Sequence, residues 1–357
     1  QPINFGLTTK GILQNDSTLF DKVTANGFIT DGNVYFETAA RQSKTLDIGI
    51  VGFLEYRNDS AMVYVSDGIV NIYDQEWKLR KANVPNVLYQ NGILEFRQID
   101  FRNKNQILYL EASSGFQANK INVNLTEFDL DNLSPFLTGF DLRLRGTTNG
   151  FIDVSDREGF PIIEANLEIA TLQLDNDTLG NLKLLSENKN SLAVTINGSI
   201  KEGLLNDMQI LGDIDFENKK SPLNLQLLTE QSSIKPFEKY LSGLASSIDG
   251  YTTTKINITG PLSSPNLSGT MQLDSLSFIV DYLQTLYTGK ALVAIDYNSF
   301  TLKEASLFDT NKNRGRAFGK VNHKNFQDFE FDLTIDNLSN FKIMNTARKD
   351  NELFYGK

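Results

Sequence analysis

The sequence predicts an all-β fold, an elongated and curled antiparallel sheet that forms a solenoid-like groove, with a few short helices. Three observations support this fold class. Apolar and polar residues alternate along most of the chain, as in strands with one buried face. Asn-Gly and Asp-Gly pairs recur near the alternating segments, and a unit of about 100 residues repeats.

The alternating segments indicate which side chains share the apolar face of this sheet. Each segment carries an apolar residue at every second position and polar or small residues between them. We expect the following apolar residues to line the groove: Val123, Leu125, Leu225, Leu227, Ile256, Ile258, Leu267, Met271, Leu273, Val293, Ile295, Phe331, Leu333 and Ile335.

Turns and helices are predicted from local chemistry. Asn-Gly and Asp-Gly readily adopt the positive φ angles of tight hairpins, which predicts turns at 31–32, 91–92, 149–150, 197–198 and 249–250. Three segments break the alternation and predict two turns of helix each, namely 130–137, 234–241 and 281–287. Pro135 and Pro236 suit a first helical turn. The third segment is either an amphipathic helix at one end of the groove or part of the core.

Internal repetition favours one continuous body over separate domains. Residues 145–154 match residues 249–258 at an offset of 104 residues. Just upstream, 122–136 resembles 223–237, and 331–341 is a third relative. Recurring strand units point to a sheet that grows along one axis. We therefore expect a single repetitive body, 1–357, with approximate units 1–120, 121–221, 222–330 and 331–357.

Composition excludes several classes of function. The chain has 357 residues with 44 acidic and 34 basic side chains, and its net charge of −10 disfavours nucleic acid as a partner. The absence of cysteine excludes disulfides, thiolate zinc sites and a cysteine nucleophile. No apolar run approaches the roughly 20 residues needed to cross a bilayer. The chain begins at Gln1 rather than Met and stops in a strand-like pattern, so we expect a fragment.

No constellation of residues predicts catalysis, a cofactor or a metal ion. His323 is the only histidine, it lacks a Gly-x-Ser-x-Gly partner motif, and we interpret it as a loop residue. Three carboxylate pairs are interpreted as solvated residues beside turns: Asp129 and Asp131, Asp175 and Asp177, and Asp213 and Asp215. Trp77 is interpreted as a core or turn residue rather than a binding anchor. The chain is therefore not expected to be an enzyme.

A sheet with one apolar face must hide that face, and this leaves two functional hypotheses open. The sheet curls around other apolar matter and forms a trough for acyl chains, or it packs on a second sheet. In the second case the chain is a filled β-sandwich, a structural or adhesive surface protein that functions through its loops. A carbohydrate-active enzyme on a β-helix is disfavoured because the carboxylate pairs are dispersed.

Three segments resemble the TamB branch of the AsmA-like family, in its Bacteroidetes-type form. Residues 250–273 resemble its recurring G-x(5)-I-x-I-x-G-x(4)-P-x-L-x-G-x-L signature. Residues 77–101 are similar to its segment that begins with Trp and continues through Asn and Gly to alternating apolar residues. Residues 309–333 resemble the element that follows, and the resemblance covers roughly residues 60–357.

This resemblance implies a β-taco-like groove and a role outside catalysis. Members of the family are periplasmic, anchored in the inner membrane by a segment that would lie outside this chain. The implied activity is to carry phospholipid towards the outer membrane, to assist outer-membrane protein assembly, or both. The implied partners are phospholipid and an outer-membrane β-barrel of the TamA or BamA type, bound through a region beyond this fragment.

Overall fold

A computed structural model describes residues 1–14, 17–42, 45–73, 75–115, 119–136, 143–157, 159–188, 192–324, 327–336 and 340–346. Within these residues the chain forms 24 strands and two 3₁₀ helices, and every strand pairing that follows is antiparallel. The predicted all-β antiparallel fold is therefore confirmed. In this described part, no helix has both the length and the apolar character needed to cross a membrane.

The chain divides into two compact units, Gln1–Ala170 and Thr171–Lys357. Unit 1 holds β1 (Ile3–Thr9), β2 (Ile12–Gln14), β3 (Ser17–Phe20), β4 (Lys22–Thr30), β5 (Asn33–Gln42), β6 (Leu46–Arg57), β7 (Ser60–Ile72), β8 (Gln75–Leu79), β9 (Val87–Gln90), β10 (Ile93–Asn103), β11 (Gln106–Ser114), β12 (Lys120–Asp129) and β13 (Leu144–Arg157). The next strand, β14 (Phe160–Leu174), contains the boundary between the units.

Unit 2 is a continuous meander of antiparallel neighbours. It holds β15 (Asp177–Glu187), β16 (Ala193–Lys201), β17 (Met208–Asp215), β18 (Leu223–Ser233), β19 (Ala245–Gly260), β20 (Asn266–Val280), β21 (Thr285–Asp296), β22 (Ser299–Phe308), β23 (Arg314–Lys324) and β24 (Gln327–Asp336). Each strand pairs with the next one along the chain, which is the local connectivity that short turns permit.

Two of the five predicted Gly turns are confirmed. Asp31 and Gly32 have φ angles of 49° and 78° and join β4 to β5, and Asn91 and Gly92, at 51° and 77°, join β9 to β10. Positive φ at both central positions is the conformation that a two-residue hairpin needs.

The other three predictions are wrong, because 149–150, 197–198 and 249–250 lie inside β13, β16 and β19. The first case shows why. Backbone N–H of Glu127 in a bulge of β12 donates to the Asn149 side chain at 2.8 Å. Gly150 has a φ of 130° and packs against the Asn166 backbone so closely that a Cβ would overlap it. Here Asn-Gly serves a neighbouring bulge rather than a turn.

The predicted helices have mixed outcomes. Short 3₁₀ helices form at Leu130–Phe136 and Lys235–Leu241, close to the predicted segments. Pro236 lies in the first turn, as predicted, whereas Pro135 lies near the end of its helix. The predicted helix at 281–287 is wrong, because these residues form a turn that leads directly into β21. Tyr287 is buried inside β21, and residues 285–287 follow the alternating burial of that strand rather than a helical pattern.

The repeat seen in the sequence is also a repeat of elements. In both copies, a strand is followed by a 3₁₀ helix and then by a long strand: β12 to β13 around Leu130–Phe136, and β18 to β19 around Lys235–Leu241. The matched residues 145–154 and 249–258 lie in the second strand of each copy. Similar sequences therefore adopt the same local structure in each unit.

Buried clusters fix the core of each unit. In unit 1, Leu46, Ile72, Trp77 and Phe128 pack together, and the rings of Trp77 and Phe128 are 5.6 Å apart. In unit 2, the larger cluster consists of Tyr287, Ala291, Ala305, Leu307, Ala317 and Phe341. Burial of this apolar area is the main force that stabilises each unit.

Candidate functional site

The register of unit 2 aligns apolar residues into one row that crosses all ten strands from β15 to β24. Directly paired residues of an antiparallel ladder lie on the same face. The row, here called the unit 2 row, consists of Leu184, Gly198, Ile210, Leu227, Ile256, Gly269, Ile295, Phe300, Val321 and Phe331. No member of this row is charged, and none carries a polar side chain.

The neighbouring row on the opposite face of the same strands has a different character. It consists of Lys183, Ser199, Gln209, Leu228, Lys255, Thr270, Ala294, Thr301, Lys320 and Asp332. Four of these ten residues are charged and four more carry polar side chains. The sheet of unit 2 therefore has one solvated face and one apolar face.

The unit 2 row and its flanking rows bring together the predicted lining residues of this unit. Leu225 pairs with Ile258, and Ile258 pairs with Leu267. Met271 pairs with Val293. The row of Met271 and Val293 continues to Leu333 through its pairing with Gly319. A further flanking row runs from Leu273 through Ala291, Ala305 and Ala317 to Ile335. All predicted residues from Leu225 onward thus lie on one face.

Unit 1 has a comparable row of its own. It crosses ten strands through Ile3, Ile29, Val34, Leu54, Val63, Val87, Phe96, Ala112, Ile121 and Val154. The two predicted residues of this unit lie on the same face as Ile121: Val123 pairs with Leu110 and Ile152, and Leu125 pairs with Leu108 and Gly150. Leu125 also packs against the core cluster around Trp77.

The apolar face of unit 2 is neither buried throughout nor open throughout. Ile256 and Ile295 are buried, whereas Phe331 and Leu333 in β24 are 56% and 49% exposed. The other eight predicted residues of unit 2 are partly buried: Leu225, Leu227, Ile258, Leu267, Met271, Leu273, Val293 and Ile335. A core packed to the usual density of protein interiors buries such residues almost completely.

Several members of the face were not singled out from the sequence. Leu184, Ile210, Phe300 and Val321 belong to the unit 2 row, and their signal was the same alternation in strands that were not chosen. Thr252 and Thr254 also lie on this face and are buried, with their hydroxyl oxygens 2.8 Å apart. Threonine counts as a polar residue when apolar and polar positions are compared, so the pattern did not assign Thr252 and Thr254 to the apolar face.

His323 does not lie in a loop, so that interpretation is wrong. It belongs to β23, is buried, and its ring lies 4.9 Å from that of Phe300 and 6.0 Å from that of Phe329. Burial lowers the pKa of His323 below its ordinary value. The side chain therefore acts as a neutral aromatic member of the packing beside the unit 2 row.

The carboxylate pairs take part in local structural contacts. Arg143 donates to Asp131 through Nε at 2.8 Å, which lowers the pKa of that carboxyl group. Lys239 lies 2.7 Å from Asp175, and Thr195 donates its hydroxyl to Asp213 at 2.8 Å. Among the described residues, no group of three or more acidic or histidine side chains is arranged to hold a metal ion.

Trp77 is 2% exposed and packs on Phe128 in the core of unit 1, so the prediction of a core residue is confirmed.

The strongest candidate for a functional surface is therefore the apolar face that carries the unit 2 row, together with its counterpart in unit 1. The chain matches no protein-family model, no curated protein and no solved structure.

Proposed function

We propose that this chain is a non-enzymatic lipid-binding protein whose apolar face carries the acyl chains of phospholipids. In this proposal the chain is a segment of a periplasmic conduit that moves phospholipid between the inner and outer membranes, assists outer-membrane protein assembly, or does both. The unit 2 row and its flanking rows contact the hydrocarbon. The polar face of the same strands remains in water.

The observation that carries the proposal is the continuity of the unit 2 row across ten strands without a charged or polar side chain. With strands about 4.8 Å apart, nine intervals give a path of roughly 43 Å. One leaflet of a bilayer has a hydrocarbon thickness of about 15 Å. The row is therefore long enough for a whole acyl chain, and for its transfer from one position to the next.

Partial burial supports the same proposal. A partly exposed Leu or Val on a sheet face remains in contact with water, and covering that area with hydrocarbon is favourable by about 25 cal/mol per Å². Eight lining residues of unit 2 are in this state. Lipid is the ligand that gains from such a face without needing any hydrogen-bond partner there.

A filled β-sandwich with a structural or adhesive role is the second candidate. The cluster of Leu46, Trp77 and Phe128 in unit 1 favours it, because these side chains are packed and buried. If the whole apolar face behaved like this cluster, no lipid would be retained. The two candidates therefore differ in a quantity that can be measured directly.

Native mass spectrometry with lipid extraction tests the proposal. The wild-type chain, purified from bacteria, is compared with the triple variant Leu225→Arg, Ile258→Arg and Leu333→Arg. We expect the wild type to retain phospholipid and the variant to lose it, because a charge on the apolar face is costly to desolvate beside hydrocarbon. Circular dichroism establishes that the variant keeps its strands.

A matched control carries three arginines on the other face of the same strands, as Gln226→Arg, Asn257→Arg and Thr334→Arg. The control has the same net charge as the test variant and should retain phospholipid at the wild-type level. A wild-type chain free of lipid, with a test variant that unfolds, would favour the filled sandwich. Equal loss of lipid in both variants would point to a general charge effect.

The resemblance to the TamB branch extends the proposal to location and partners. We propose a periplasmic chain, attached to the inner membrane by a segment that this chain does not include. An outer-membrane β-barrel of the TamA or BamA type would bind another region of the full protein. This chain has no cysteine, so Asn257→Cys adds a thiol to it, and labelling of that variant by a membrane-impermeant maleimide is measured as the increase over the unsubstituted protein. Labelling in cells with a permeabilised outer membrane and an intact inner membrane is expected.

A further inference from the structure

Residues 340–346 lie over one margin of the apolar face of unit 2. The ring of Phe341 stacks on that of Tyr287, with centroids 5.4 Å apart and planes at 10°. Phe341 is buried in the same cluster as Ala291, Ala305 and Ala317. Among the residues that the structure describes, this segment, here called the strap, covers that margin.

Beneath Phe341 the sheet presents a surface of unusually small side chains. Ala291, Ala305 and Ala317 are paired across β21, β22 and β23, and this set is here called the alanine floor. Beside it, Gly315 leaves room for the ring, since a Cβ there would come within 2.9 Å of Phe341. The floor offers space and apolar contact. Its alanine side chains carry no hydrogen-bonding group, and a phenyl ring needs none.

The alanine floor continues the proposed lipid surface. Ala291 pairs with Leu273, and Ala317 pairs with Ile335, and both partners flank the unit 2 row. A saturated hydrocarbon chain has the same requirement as the phenyl ring, namely apolar contact on small side chains. Phe341 therefore occupies a position that is contiguous with the surface on which acyl chains would lie.

The strap is attached by hydrogen bonds that mostly involve side chains. The Tyr287 hydroxyl donates to the carbonyl oxygen of Ile343 at 2.8 Å, and the Asp309 carboxylate accepts from the Lys342 N–H at 2.7 Å. Asn313 donates to the carbonyl oxygen of Asn340 at 2.7 Å. Only Phe341 anchors the strap in the apolar cluster, so its attachment depends on a few identifiable groups.

We propose that the alanine floor is an acyl-chain site which the chain's own strap occupies, and which the end of a lipid chain takes when Phe341 leaves. The proposal rests on the proposed function and specifies it further. The strap is a competitor for one margin of the lipid surface, and it limits how much hydrocarbon unit 2 holds. The ligand at this site is the end of a hydrocarbon chain, because the three alanine side chains of the floor carry neither charge nor a hydrogen-bonding group.

Photo-crosslinking with the full chain tests this site. The probe is phosphatidylethanolamine that carries a diazirine near the end of one acyl chain, diluted into vesicles of phosphatidylethanolamine and phosphatidylglycerol. We expect Phe341→Ala to raise the labelling of peptides from β21 to β23 by about tenfold. Removing the ring that occupies the floor increases the fraction of molecules in which the floor is open to lipid. Labelling of peptides from β18 to β20 should stay at the wild-type level.

Two further variants separate release of the strap from loss of structure. Tyr287→Phe keeps the ring in the cluster and removes the hydroxyl that holds the strap, so labelling of β21 to β23 should rise about threefold. Ile343→Ala is the control, because this side chain is 41% exposed on the same strap, and it should leave labelling unchanged. Thermal melting identifies any variant that is unfolded.

The outcomes distinguish this inference from the proposed function. Labelling of β18 to β20 in all variants, with no rise on β21 to β23 in folded Phe341→Ala or Tyr287→Phe, would overturn the alanine floor as a site and leave the lipid surface intact. Absence of labelling anywhere, in the wild type and in every variant, would overturn both. Equal rises in Tyr287→Phe and Ile343→Ala would also overturn the assigned role of the strap.

Discussion

Two regions of unit 2 share one sheet face and differ in what lies on top of them. The alanine floor is buried under Phe341, whereas Leu225, Met271 and Val293 near the middle of the face are partly exposed. The same strands, β21 among them, contribute to both regions. Alternation in the sequence thus determines which side chains share a face, but a separate segment of the chain determines whether that face is covered.

The largest expected difference between the two regions is their tolerance of charge. Ala305 is 2% exposed in the covered region, so Ala305→Asp should lower the free energy of unfolding by about 4 kcal/mol or more, because a buried carboxylate has no partner there. Leu333→Asp in exposed β24 should change it by less than about 1 kcal/mol. Urea denaturation of both variants measures the difference, and equal losses would contradict it.

A second prediction separates backbone crowding from burial. Gly269 lies in the unit 2 row with a φ of 152°, and an added Cβ would overlap the carbonyl oxygen of Lys255. Gly269→Ala should therefore lower the free energy of unfolding by about 3 kcal/mol. Gly49→Ala is the matched control, since a Cβ at that strand position meets nothing within 4 Å, and it should be neutral within about 1 kcal/mol.

A structural feature can be predicted from the sequence when the residues that determine it are close together in the chain. Alternation in 249–258 predicted that Ile256 and Ile258 share a face, and their pairing with Leu227 and Leu225 confirms it. Asn149 and Gly150 misled the prediction because their role is set by Glu127 in the preceding strand. That partner is 22 residues away, beyond the reach of a turn motif.

The segment that covers part of the apolar face could not be predicted from the sequence, for the same reason. The resemblance of 331–341 to earlier segments was visible, and Phe341 stood at its end. Its stacking on Tyr287, which is far away in the chain, depends on the folded sheet. His323 is a second example, because a lone polar residue between two patterns reads as a loop until the ladder from β22 to β24 places it between aromatic rings.

A third prediction compares truncations of equal size in the two regions. Leu307→Ala removes a buried side chain from the covered cluster and should lower the free energy of unfolding by about 3 kcal/mol, since it leaves a cavity. Leu225→Ala removes a partly exposed side chain and should cost only about 1.5 kcal/mol. Chemical denaturation measures both values. Similar losses would mean that the middle of the face is as well packed as the margin.

The smallest expected effect is a dependence of the strap on pH. Burial alone would raise the pKa of Asp309, but N–H donors from Lys342, Asn313 and Asn311 more than offset it, and the pKa lies below its ordinary value. A depressed pKa means that the ionised carboxylate stabilises the folded state. This contribution is complete above the ordinary aspartate pKa of about 4 and is lost as pH falls through the lower folded value.

Amide hydrogen exchange at residues 340–346 measures this loss. After correction for intrinsic rates, protection of these amides should fall several-fold between pH 6 and pH 3, while protection in β16 and β17 stays constant. Asp309→Asn keeps the size of the side chain but removes the charge that attracts the Lys342 N–H, so the strap should be weakly protected at both pH values. Wild-type protection that is independent of pH would show that Phe341, and not Asp309, holds the strap on the alanine floor.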